Sequence, residues 1–286
     1  MLLLLAGASR WIVVAAHPET DSTLASEAIG CAWAALLSLT LLLRKPAKPI
    51  PQQSSPKAGQ LRCLLAGAML FGGPAVALLI RGHELDSGGL TIALALTPVI
   101  IAIAASALRS DQSDGIAGRI WPGLAAVAGL LLLLVQPALG DPRTDLVLIL
   151  APALTGVGAA LFCVDQPISA SSVTSALIGA SALFALALAE TCFVTGSRPS
   201  ISLVAVAGDG VLALLGVVTL VQLGATRWSS QFTWIPLLIV IEGIVLVRPQ
   251  ITAHWVVGLI LLALASIYLL LPQDEEPNPG ASTVLG

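Results

Sequence analysis

The sequence predicts an all-α integral membrane protein whose ten transmembrane helices form two inverted five-helix repeats. Three observations carry that prediction. Hydrophobic residues are 57% of the 286 positions and charged residues only 10%, and the mean hydropathy is +0.96. A soluble domain of this length has no use for so much apolar surface, whereas a bilayer demands it on every spanning segment. The apolar residues are gathered into ten runs of roughly membrane-crossing length, and these are continuous rather than alternating, which excludes a strand barrel. Finally, a pattern recurs: Thr97-Pro98-Val99, an apolar run, a polar break, then Gly123 and another apolar run is echoed by the stretch from Arg227 to Leu271. Pro98 and Pro236 lie 138 residues apart, and Gly123 and Gly258 lie 135 apart.

The ten runs fall at about 2–17, 25–43, 61–80, 89–108, 119–139, 145–164, 169–189, 201–222, 230–248 and 252–271. The first, Met1 to Ala16, is read as a spanning helix rather than a secretory leader, because it lacks a basic start and Arg10 interrupts it. The breaks between runs carry turn chemistry, as in His17-Pro18-Glu19, Gly140-Asp141-Pro142 and Arg198-Pro199-Ser200. Arg44 to Leu61 is the one loop of any length. The tail 273–286 is polar, with Asp274, Glu275 and Glu276 among its prolines, and is expected to be disordered. The repeats are thus assigned to 1–140 and 141–272.

A net charge of −3 argues against nucleic acid as a partner. Cys31, Cys63, Cys163 and Cys192 are far apart, with no spacing that suggests zinc or a disulfide framework, so they are read as apolar filler, with no metal and no cofactor expected. Placing the N-terminus inside puts eight basic residues in cytoplasmic loops against four outside, which favours both termini in the cytoplasm. Five crossings per unit then set the second unit upside down relative to the first. Inverted repeats are the construction of many secondary transporters, with a midplane site where Gly- or Pro-interrupted helices meet. Gly72-Gly73-Pro74 in the third run and Gly208-Asp209-Gly210 in the eighth are the corresponding interruptions, alongside Pro98 and Pro236. Close helix packing is the alternative use of those glycines.

The order of small residues, proline, long apolar helix, polar turn and Gly-rich last helix over Gly224–Leu271 resembles the end of an EamA-type repeat, from the drug/metabolite transporter superfamily. Gly72–Leu134 is similar, and Gly7-Ala8-Ser9 resembles the small-residue motif of that family's first helix. The resemblance implies ten helices, cytoplasmic termini, and movement of small metabolites through a cavity between the halves. The chain departs from that pattern in its turns after the proline helices, Leu108-Arg109 and Val247-Arg248-Pro249, and in carrying Glu27 in the second helix and Arg10 in the first.

Charged side chains within the runs each ask for a reason, since one at the bilayer centre costs at least ~2.5–3.5 kcal/mol on insertion scales. Asp209 sits about midway along the eighth run and is read either as a carboxyl that couples protons or binds a substrate amine, or as a packing hydrogen-bond acceptor. Glu242, six residues after Pro236, either faces a cavity opened by the proline kink or reaches the outer interface. Arg10 and Glu27 belong to neighbouring runs, where an ion pair clamping two helices competes with solute binding. Gln231, Thr233 and Trp234 lead into the proline helix and are expected near the cytoplasmic mouth. Trp121, Trp228 and Trp255 lie at run ends, where interfacial anchoring is the expected role.

The leading functional reading is a secondary transporter of the inner membrane, moving a small-molecule solute by alternating access with proton coupling. No Gly-rich phosphate loop ending in Lys-Ser/Thr is present. An enzyme is not expected: paired deep aspartates, a Ser–His pair and clustered metal ligands are all missing from the runs. The alternative is a non-transporting scaffold or degenerate carrier. The partners expected are the lipid bilayer, the solute and a second copy in a homodimer.

Overall fold

The computed structural model describes residues 20–44, 56–81, 87–108, 116–133, 142–163, 170–196, 198–247 and 252–270. Every regular element among them is helical. In chain order these are α1 (Thr20–Arg44), α2 (Pro56–Leu70), α3 (Gly72–Arg81), α4 (Ser87–Leu108), α5 (Ile116–Leu133), α6 (Pro142–Cys163), α7 (Ala170–Thr195), α8 (Leu203–Trp228), α9 (Gln231–Val247) and α10 (Ala253–Leu270). The expected run 2–17, with Arg10, and the tail 273–286 lie outside the described residues. Each of the other nine runs coincides with a helix or, for 61–80, with a bent pair.

That pair, α2 and α3, is one rod with a bend at Phe71. The amide of Phe71 still reaches the carbonyl of Gly67 at 3.2 Å, and that of Ala75 reaches Phe71 at 3.1 Å. Pro74 has no N–H to give the carbonyl four residues back, so the ladder loses one rung there and the rod bends. Pro98, Pro122, Pro152 and Pro236 lie inside α4, α5, α6 and α9, and those helices continue past them.

Among the described residues, three segments are long and apolar enough to cross a membrane: Ser22–Thr40, Ser171–Thr195 and Leu203–Ala225. Shorter apolar helices accompany them, among them Ala95–Leu108, Ile149–Cys163 and Ala253–Leu269. The outer surface is apolar to match. Leu186, Phe193, Leu203 and Val204 are 70%, 92%, 82% and 84% exposed, a display that suits hydrocarbon and not water.

Two cores hold the helices. The larger joins α1, α2, α3, α6, α7 and α8, with Ile101 from α4 and Phe232 from α9, around Leu24, Phe184, Leu177 and Val217. It is rich in alanine (Ala28, Ala34, Ala66, Ala159, Ala176, Ala180). Small side chains let backbones approach closely, which is how helices associate by dispersion where no water is available to drive them together. The smaller core joins α4, α5, α9 and α10 through Ala95, Ala126, Leu130, Leu237, Leu262 and Ala265. Here α5 and α10 cross at Gly129 and Gly258, where a Cβ on either glycine would meet the other's carbonyl oxygen at 2.7 and 2.6 Å.

The principal helix pairings are α1 with α7 and α8, α7 with α2, α6 with α2, α3 and α4, and α5 with α4 and α10. Helices from the first and second halves of the chain are therefore interleaved throughout, and neither half packs as a separate body.

Candidate functional site

The site grows out of one helix start. Ser202 is extended (φ −96, ψ 120) and its hydroxyl accepts from the amide of Ala205 at 3.4 Å, an N-cap that fixes Leu203 as the first residue of α8. At 1.5 Å per residue, Asp209 then lies about 9 Å along the axis, in the second turn. The sequence reading set it midway along its run. The cap at Ser202 and the non-helical Gly224 bound the regular helix to 203–223, in which Asp209 is the seventh residue.

Asp209 is 7% exposed. Facing it is α1, which presents Ser22, Ser26 and Gly30 at four-residue spacing, one stripe on a helix surface. The Ser26 hydroxyl donates to Asp209 Oδ2 at 2.7 Å, across 183 residues of sequence, and also lies 3.0 Å from the carbonyl of Thr23. One turn outward, the hydroxyls of Ser22 and Ser200 are 2.9 Å apart, and the Ser200 amide donates to Ser22 Oγ at 3.2 Å. One turn inward, α1 and α8 touch backbone to backbone: a Cβ at Gly30 would lie 2.8 Å from the amide nitrogen of Gly210, and a Cβ at Gly210 would lie 2.7 Å from the Gly30 carbonyl. Glu27 follows Ser26 and is also buried, 7% exposed.

The opposite side of α1 meets α7 through further polar contacts. The Ser181 hydroxyl donates to the Ala28 carbonyl at 2.8 Å, and the hydroxyls of Ser38 and Thr174 are 2.7 Å apart. None of Ser26, Ser181, Ser38 or Thr174 stood out in the sequence. The recurrence Ser22, Ser26, Gly30 is the signal that was there to be read.

Of the residues singled out from the sequence, Asp209 and Gly210 meet α1 at the α1–α8 crossing, and Glu27 is buried one residue after Ser26. Gly208 points elsewhere, with nothing within 4 Å of where its Cβ would be. Gly72 and Gly73 pack against α6, on Leu154 and on Thr155 with the Ala151 carbonyl, and Pro74 follows them. Pro98 is buried in α4, next to Val99, Ile100 and Ile101, which Gly123 of α5 and Gly156 of α6 approach from two sides. Pro236 is buried in α9. Glu242 belongs to the helical span of α9, and its side chain is outside the described set. Arg10 lies outside the described residues, so its pairing with Glu27 is not addressed. Among the described residues no group of three metal-ligating side chains occurs.

Two expectations change around the α8–α9 turn. Gly224 has φ +74, ψ 165, a backbone conformation open to glycine and strained for other residues. It folds the chain back so that the Trp228 indole donates to the Gly216 carbonyl at 3.0 Å and meets Phe232 edge-on at 5.0 Å. Trp228 is buried, 7% exposed, and anchors this turn to α8 rather than an interface; Thr233, expected near a mouth, is fully buried. Trp121, 69% exposed, keeps its outward position. Nearby, Trp234 Nε1 is buried without a hydrogen-bond partner, the one such side-chain nitrogen or oxygen among the described residues. At the far end of the bundle, Arg62 of α2 donates from Nε and Nη2 to the Leu161 carbonyl in the last turn of α6 at 3.2 and 3.1 Å, a cation at the negative end of a helix.

Comparison with known proteins bears on the fold. One solved structure, described only as "Crystal structure of protein", superposes with a TM-score of 0.61 over 95% of this chain and 99% of its own, at 14% identity. Such a likeness establishes a shared arrangement of the whole chain and nothing about chemistry. No protein-family model matches the sequence, and no curated protein matches it.

Proposed function

We propose that this chain is a secondary transporter of the drug/metabolite type, with ten spanning helices in two inverted EamA-like repeats, which moves a small solute across the cell membrane by alternating access and couples that movement to protons at Asp209. The observation that carries the proposal is a buried carboxyl group held by a hydroxyl from the opposite half of the chain. An acid in a spanning helix is costly to insert and is retained for ion pathways or proton relays. Here its partner sits on the other repeat, so any motion between the halves bears directly on it.

The packing supports the repeat. Take the run 2–17, α1, the α2–α3 rod, α4 and α5 as the first five helices, and α6 to α10 as the second five. Exchanging the halves carries the pair α1–α7 onto itself, and likewise α5–α10 and α4–α9. It carries α2–α7 onto α1–α8, and α4–α5 onto α9–α10. All of these are observed pairings. Bundles related in this way can exchange conformations and open a central site to either side in turn.

The test is flux in sealed vesicles under an imposed pH gradient, using solutes first selected because they raise the thermal stability of the purified protein. Asp209→Asn is expected to abolish gradient-driven accumulation while leaving the protein folded. Coupled flux unchanged by this substitution would refute proton coupling at Asp209. A static scaffold is the second reading, favoured by the backbone contact of Gly30 with Gly210. It predicts no stabilising solute and no flux.

A further inference from the structure

We propose that Ser200, Ser22 and Ser26 form a hydroxyl ladder through which Asp209 exchanges its proton with water at the α7–α8 face of the bundle. This rests on the reading of Asp209 as the proton-coupling group and adds the route and the side from which the proton arrives. The α7–α8 face is the outer one in the orientation favoured by the basic residues.

The geometry supplies both ends of the ladder. Ser22 is half-buried and Ser200 exposed, and their hydroxyls are 2.9 Å apart next to the start of α8. Ser26 is 4% exposed and 2.7 Å from Asp209 Oδ2. Between them, Ser22 and Ser26 stand one turn apart on the same face of α1, where side chains are about 5–6 Å from one another at Cβ, a gap one water molecule spans. Inward of Asp209, the Gly30–Gly210 contact closes the same seam with backbone.

The hydroxyl of Ser26 carries one hydrogen but has two acceptors in range, the Thr23 carbonyl at 3.0 Å and Asp209 Oδ2 at 2.7 Å. With Asp209 ionised, that hydrogen lies towards Oδ2. With Asp209 protonated, the carboxyl donates to Ser26 Oγ and the serine hydrogen turns to Thr23. The same heavy-atom positions therefore serve both states, so a proton passes without rearranging the helices. Loading is balanced: Ser26 gives its hydrogen to Oδ2 and takes one from the bridging water, which is replenished from the Ser22–Ser200 end. A helix-packing serine needs one acceptor and no connection to the surface.

Charged and titratable groups on the elements packed against α8 are few. The described side chains are Glu27 and Cys31 of α1, Cys163 of α6, Glu190 and Cys192 of α7, and His254 and Tyr268 of α10, with none on α4. Asp21 near the start of α1 and Arg44 at its end, and Arg143 and Asp145 at the start of α6, belong to those helices by sequence, and Arg227 lies in the last turn of α8 itself. Glu27 is buried and adjoins Ser26 in sequence, so Glu27→Gln is included as a control for its influence on Asp209.

The test uses the full chain in phosphatidylcholine vesicles, followed by infrared difference spectroscopy across a pH change. The wild type is expected to give a protonated-carboxyl stretch that is lost in Asp209→Asn, shifted in Ser26→Ala and unshifted in Ser26→Thr. After a pH jump, the double variant Ser22→Ala/Ser200→Ala is expected to protonate Asp209 several-fold more slowly with an unchanged midpoint. Neither serine is buried, Ser22 being half-exposed and Ser200 exposed, so that variant keeps the test valid if Ser26→Ala fails to fold. A double variant that protonates at the wild-type rate, or a carboxyl band that survives Asp209→Asn, would overturn the ladder. PH-driven flux alongside an unaffected rate would sink the ladder and leave the transporter standing. An intact ladder with no solute flux would do the reverse.

Discussion

Gly208 and Gly210 flank the same carboxyl group and stand in opposite surroundings, which makes them a matched pair for experiment. A methyl at Gly210 would lie 2.7 Å from the Gly30 carbonyl and 3.2 Å from Trp33, whereas one at Gly208 meets nothing within 4 Å. Gly210→Ala is therefore expected to lower stability by about 1–3 kcal/mol, the usual cost of overpacking a filled contact. Gly208→Ala is expected to stay within about 0.5 kcal/mol of wild type, as for substitutions away from packed features. Thermal unfolding in detergent checks both, and equal losses at the two positions would mean that α1 and α8 do not meet as described. Trp234 offers a different test. Its buried indole N–H has no acceptor, and leaving such a donor unsatisfied costs about 1–3 kcal/mol. Trp234→Phe removes the donor and keeps most of the ring, so the unfolding temperature is expected to hold or rise; a clear fall would show that the N–H has a bonding partner in solution, such as a water.

At the scale of the helix, α8 and its exit explain where the sequence was legible and where it was not. Apolar runs announced every described helix, and three of these helices hold segments long and apolar enough to cross a membrane. The ends were harder. Ser202 caps α8 one residue past the expected start, and Gly224 turns the chain only after the expected end, so Asp209, set midway along its run by the sequence, lies in the second turn of the helix. Ser26 was invisible for a different reason. A lone serine in an apolar run has many uses, and the partner that gives this one a role is 183 residues away. The glycine interruptions were legible as features, while their partners were not: Gly72 and Gly73 meet α6, and Gly67 is the glycine of that rod that meets α7, at Ala176. Under the proposed exchange of halves, Gly67 is thus the counterpart of Gly210. Gly224→Ala places a side chain at φ +74 and is expected to cost about 1–3 kcal/mol. Because the same turn delivers Trp228 to the Gly216 carbonyl, Trp228→Phe in addition should cost less than the sum of the two single losses. A double-mutant cycle measures this, and strict additivity would separate the turn from the indole contact.

For the whole molecule, the interleaving of halves decides what kind of motion is available. With no pair of separate lobes to hinge, the alternation we propose has to open seams between helices of opposite halves, and α1 lies on two of them, against α7 and against α8. The contacts on those seams differ along α1. Gly30 against Gly210 is a backbone contact that closes the α8 seam near the middle of α1. Towards the C-terminal end of α1, the α7 seam is closed by hydroxyls, Ser38 with Thr174 at 2.7 Å. Hydroxyl pairs between spanning helices are worth little net, averaging about 0.6 kcal/mol in membrane proteins, so in the proposed transport cycle that end parts at small cost while the glycine crossing stays in contact as a pivot. Cysteines at Ser38 and Thr174, introduced after replacing Cys31, Cys63, Cys163 and Cys192 by alanine, fall within reach of a disulfide. Oxidation is expected to halt gradient-driven flux and reduction to restore it, with the infrared carboxyl signal of Asp209 retained in both states because its route reaches the surface at the opposite end of α1. Full flux in the oxidised protein would mean that this seam stays closed throughout the cycle, and would move the gate to the smaller core, where α4 and α9 meet.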